Sequence, residues 1–68
     1  MEKGWVKVYS TDKKQVALII EEVLQSNDIK VVLLDKKDST NLIAGELEVY
    51  VKHGDVLRAL NLINKADE

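Results

Sequence analysis

The 68 residues contain no cysteine, no proline, no phenylalanine, one histidine and three glycines. Without cysteine there is no disulfide framework, and with one histidine there is no cluster of soft metal ligands. Without proline, no element is interrupted by a residue that lacks a backbone donor. Long apolar runs are also missing. The longest nearly apolar stretch, Val16 to Leu24, already contains Glu21 and Glu22, far short of membrane-spanning length. The first apolar stretch is broken at Lys7, which does not fit a secretion signal.

Neither charge sign dominates. Ten basic and twelve acidic residues give a formal net charge of -2. The densest basic spots, Lys13-Lys14 and Lys36-Lys37, each have an aspartate beside them, so there is no basic stripe of the kind nucleic-acid binders use. The expectation is a single domain over 1–68 with an ordered core near 5–65, cytoplasmic, with neither a nucleic-acid nor a membrane partner. A chain this short buries only about 60% of its unfolded surface, so oligomerisation is the remaining common support.

What is present is patterning. Trp5-Val6-Lys7-Val8-Tyr9 alternates and predicts a strand with Val6 and Val8 on one face and Trp5, Lys7 and Tyr9 on the other. Ser10-Thr11-Asp12 offers N-caps, and Asp12 with Gln15 matches a capping box. A helix follows from about Lys13 to Gln25. Its stripe is Val16, Ile19, Ile20 and Val23, widened by Ala17 and Leu24. Ser26-Asn27-Asp28 ends it, with Asn27 suited to a left-handed position.

Ile29 to Leu34 reads as a second strand, apolar at every position from Val31. The third strand alternates most cleanly: Leu47, Val49 and Val51 inward, and Glu46, Glu48, Tyr50 and Lys52 outward. After His53-Gly54-Asp55 a second helix runs to Lys65, with Val56, Leu60 and Ile63 as its buried stripe beside Ala59 and Leu57. The connector from Asp35 to Gly45 holds Leu42-Ile43-Ala44, a plug over the core or a short extra strand.

The order β-α-β-β-α predicts an α+β fold, a ferredoxin-like truncated unit. It has a three-stranded mixed sheet and both helices on one face; the third strand returns antiparallel either beside strand two or inserted between strands one and two, and the inserted arrangement is the first choice. Strand one is then an open edge. Trp5, Tyr9 and Tyr50 line the sheet surface away from the helices, where a second subunit would cover them. The expected partners are a second copy, through the 5–9 edge or the open sheet face, and an unidentified protein.

Catalytic and metal chemistry have little to stand on. His53 precedes a Gly-Asp turn with no positioned second group. Glu46 and Glu48 share a strand face at a spacing any solvated face produces. Asp35 and Asp38 lack the twelve-residue calcium-loop pattern. The expectation is no catalytic residue, no metal site, no cofactor and no enzymatic activity. Two recognition candidates remain. One is the loop Asp35, Lys36, Lys37, Asp38, Ser39 and Thr40, which carries both signs and two hydroxyls. The other is an anion site at the first helix start, from Ser10, Thr11, Lys13 and Lys14.

Several strings together carry a resemblance: Val8-Tyr9-Ser10-Thr11-Asp12, the helix ending Glu22-Val23-Leu24, Val31 through Ser39, and Gly45-Glu46-Leu47-Glu48-Val49-Tyr50-Val51. Over about residues 5 to 64 the chain resembles a family of small prokaryotic signal-transducing proteins whose biochemical role is not established. The resemblance implies a compact α/β domain similar to the ferredoxin-like units of PII-type regulators, in a bacterial cytoplasm. It supplies no catalytic residue. The chain departs from PII-type proteins in lacking a final strand, a long effector loop and a glycine-rich nucleotide loop. The functional expectation is a noncatalytic regulatory or protein-interaction module in signalling; the alternative is a small-molecule or anion sensor.

Overall fold

The computed structural model describes residues 3–36 and 46–66. Strand β1 (Trp5–Thr11) leads to helix α1 (Lys14–Gln25), then β2 (Val31–Lys36) and β3 (Glu46–Lys52). A single 3-10 turn, His53–Asp55, opens into helix α2 (Val56–Ala66). The sheet order is β1-β3-β2, with β3 antiparallel to both neighbours and β1 and β2 therefore parallel to each other. Both helices pack on one face, the ferredoxin-like arrangement expected from the pattern.

The core lies between that face and the helices. Leu24, Ile29, Val49 and Val51 are its largest fully buried side chains, joined by Ile20, Ala59 and Ile63. The inward positions of β3 are those its alternation required. A slip of one residue would exchange two valines for glutamate and tyrosine.

Helix boundaries depart from the sequence pattern in instructive ways. The capping box at Asp12 and Gln15 does not form. β1 continues to Thr11, Lys13 is still extended (φ -103°, ψ 112°), and no side chain caps the start of α1. The Thr11 Oγ1 instead accepts the Lys13 N–H at 3.1 Å, a local turn that competes with a cap. At the other end the left-handed residue is Asp28 (φ 61°), not Asn27. The Ile29 N–H reaches the Leu24 carbonyl (3.1 Å) and the Asp28 N–H reaches that of Gln25 (3.1 Å). This is the Schellman pattern, and its usual apolar contact is supplied by Leu24 and Ile29, both in the core. Asn27 serves through its side chain, donating to the Val23 carbonyl at 2.8 Å.

The buried stripes are also rotated. In α1 they run Ala17, Ile20, Leu24, leaving Ile19 57% exposed. In α2 they run Val56, Ala59, Ile63 with Leu62, and Leu60 is 43% exposed. Several apolar residues compete for each stripe, and the neighbouring element decides which of them is covered.

Candidate functional site

The face of the sheet away from the helices is built by register. Trp5 opposes Lys52, Lys7 opposes Tyr50, and Ser10 opposes Glu48. From the other side Val32 opposes Tyr50 and Leu34 opposes Glu48. Paired residues share a face, so these side chains form one surface. The Lys52 ammonium sits 4.9 Å from the Trp5 ring centroid, a cation–π geometry.

Tyr9 does not belong to this surface, contrary to the strict alternation read from the sequence. Pairing runs Lys7 to Tyr50 and then Tyr9 to Val49, so Val8 is an extra residue, a β-bulge. The bulge resets the period of two. Tyr9 turns to the helix side with Val49, and both Val8 and Tyr9 pack against the core. Among the aromatics, Trp5 and Tyr50 remain together and Tyr9 leaves them.

The centre of the surface is Glu48, whose alternation marked it as solvated and which is only 4% exposed. Its Oε2 accepts from the Lys7 ammonium at 3.2 Å, and its Oε1 accepts from the Tyr50 hydroxyl at 2.8 Å. A buried carboxylate persists only where donors replace its water. Those bonds raise the Lys7 pKa, through the hydrogen bond to Glu48 first and its charge second. The Tyr50 pKa is raised as well, first by its own hydrogen bond to Glu48 and then by burial. Among the described residues no group of three or more metal-type ligands is assembled. The Glu46 and Glu48 clamp is not built either: Glu46 is exposed while Glu48 is buried against Lys7 and Tyr50.

The recognition loop begins later than its sequence suggested. Asp35 and Lys36 are the last residues of β2, opposite Leu47 and Glu46. Lys37, Asp38, Ser39 and Thr40, and the Leu42-Ile43-Ala44 segment, lie outside the described residues. At the α1 start Ser10, Lys13 and Lys14 are exposed and Thr11 is spent on its turn. The uncapped first turn offers N–H donors to an anion, and no second feature of the described residues directs one there.

The remaining surface feature is the edge of β1, which has β3 on one side and no strand on the other among the described residues. The Gly4 carbonyl accepts the His53 N–H at 2.6 Å, which sets the parity of the ladder. Val6 then points its backbone groups at β3, and Trp5 and Lys7 point theirs outward. Helix α2 contacts β1. Its Arg58 donates to the Asn27 carbonyl of the α1 end at 2.8 Å. Each helical residue turns about 100°, so Leu60 falls across the helix from Arg58, and Leu57 points away from the buried stripe of Ala59 and Ile63. Leu57 is 83% exposed.

This architecture has a counterpart among protein families. The model of a family described as "Putative prokaryotic signal transducing protein" matches residues 5–67. The chain belongs to that family. No curated protein and no solved structure matched it. The signal-transducing family label gives a class of role, consistent with a regulatory or interaction domain, and leaves the site to be argued from geometry.

Proposed function

We propose that this member of the prokaryotic signal-transducing family is a noncatalytic cytoplasmic interaction module that docks another polypeptide, first of all a second copy of itself, along the open edge of β1. One observation carries the reading: among the described residues β1 has a free edge, and the helix that contacts β1 carries two exposed leucines, Leu57 at 83% and Leu60 at 43%. Free backbone groups supply hydrogen bonds to an added strand, and the exposed leucines supply burial.

The bulge at Val8 restrains uncontrolled pairing at this edge by ending its regular stretch. The Lys7 ammonium is held on the sheet face by Glu48, which keeps it from guarding the backbone of the edge. A short, bounded contact is the consequence, suited to reversible association.

Sedimentation equilibrium from low to high micromolar concentration tests the reading. The natural chain is expected to self-associate and the Leu57→Lys variant to associate more weakly. A clean monomer at high micromolar concentration would remove the second copy as the occupant.

A further inference from the structure

A cleft of about 180 Å³ opens between the C-terminal half of β1, the first turns of α1 and the last turn of α2. Its walls are Tyr9, Val16, Ile19, Ile20, Ile63 and Ala66. We infer that this cleft is a binding site for a small uncharged molecule built on one aromatic ring with a single hydrogen-bonding group, of the phenol or indole class.

The size argues first. An apolar protein cavity of about 150 Å³ is enough to hold benzene, so this space takes one ring and little more. The walls argue next. None of the six lining residues is charged at neutral pH, and five are aliphatic. An anion would lose its hydration here and gain no cation in return. An apolar ring would instead cover Ile19, which the α1 stripe leaves 57% exposed at the rim.

The polar group is set by Tyr9. The Val8 bulge turns this side chain off the opposite sheet face and into the cleft. Its ring offers an edge or a face to another ring. Among the described residues its hydroxyl has no hydrogen-bond partner, while that of Tyr50 is held by Glu48. One phenolic hydroxyl can give or accept one bond from a ligand. The walls come from three packed elements, so the shape is already formed without ligand. A ligand this small is expected to bind on the order of millimolar.

The test is a heteronuclear NMR titration of the full chain with phenol, indole and toluene, with inorganic phosphate as the charged comparison. Phenol and indole are expected to give saturable shifts centred on Tyr9, Val16, Ile19, Ile20, Ile63 and Ala66, with none from phosphate. Ala66→Phe fills the cleft from an exposed helix end and should weaken phenol binding by roughly tenfold or more. Tyr9→Phe should weaken phenol roughly two- to tenfold and leave toluene unchanged. Ile19→Ala, at an exposed position, reports the rim should either of the others fail to fold. Shifts that do not saturate, that spread beyond these residues, or that phosphate reproduces would overturn the assignment. So would shifts at the same residues on raising protein concentration alone, because the occupant would then be a side chain of a second copy.

Discussion

On the helix-covered face of the sheet, Val49 and Val51 are fully buried; on the other face, Glu48 next to Val49 is 4% exposed. One strand thus buries adjacent residues almost equally by opposite chemistry. The valines need only apolar neighbours, because removal from water is itself favourable and has no required direction. Glu48 needs donors in set positions, and Lys7 and Tyr50 supply them across and along the strands. The apolar face therefore tolerates changes of shape, while the polar face depends on register. The Val8 bulge follows immediately after the Lys7–Tyr50 pair, so the part of β1 that serves Glu48 stays in phase and only the part beyond is rotated.

The largest expected effect comes from the apolar face. Leu24→Ala removes a fully buried side chain that also closes the Schellman turn, and should cost about 2–5 kcal/mol in urea denaturation. In a domain this small that is a large share of total stability. On the polar face, Lys7→Met removes one charged donor from a buried carboxylate and should lower the urea midpoint by less than Leu24→Ala does. Adding Glu48→Met should restore part of that loss, because an apolar pair leaves no carboxylate in need of a donor. If the double variant were worse than Lys7→Met alone, the polar face would be packing by shape as the valines do.

Smaller effects sharpen the contrast. Asp28→Gly relieves a left-handed residue and should gain up to about 1 kcal/mol, whereas Asp28→Val should lose about 1–2 kcal/mol. The pH dependence has a worked sign. Lys7 and Tyr50 are both raised on folding above their ordinary values of 10.5 and 10.0. Their contribution is complete below those unfolded values and is lost as pH rises through the folded ones. The thermal unfolding midpoint should therefore fall above about pH 10, and Glu48→Gln should flatten that decline. The effect is small because the Lys7 side chain is 50% exposed and screened. Smallest of all, Leu57→Lys should shift stability by no more than about 0.5 kcal/mol while altering association.

Much of the architecture was legible from residue patterns. Leu47, Val49 and Val51 could only face the core, because the alternative buries two glutamates. The central place of β3 was one of two placements a right-handed crossover left open, and its clean alternation favoured it. Three features were not legible. Nothing local in Lys7-Val8-Tyr9 announces a bulge, since the sequence alternates straight through it. Leu60 and Leu62 are equally apolar, and only the line of contact with the sheet and α1 chose Leu62. Glu48 looks like Glu46, and the meeting of Lys7 and Tyr50 around it is a tertiary arrangement that no local pattern announces.

The sequence by itself determined the element order, the inward set of β3 and the absence of thiol chemistry, because periodicity and composition act within a few residues of one another. The tertiary structure alone decided where β1 changes face, which carboxylate is buried and which leucines stay uncovered. Each of those depends on side chains distant in sequence: Lys7 and Glu48 stand 41 residues apart and share one hydrogen bond.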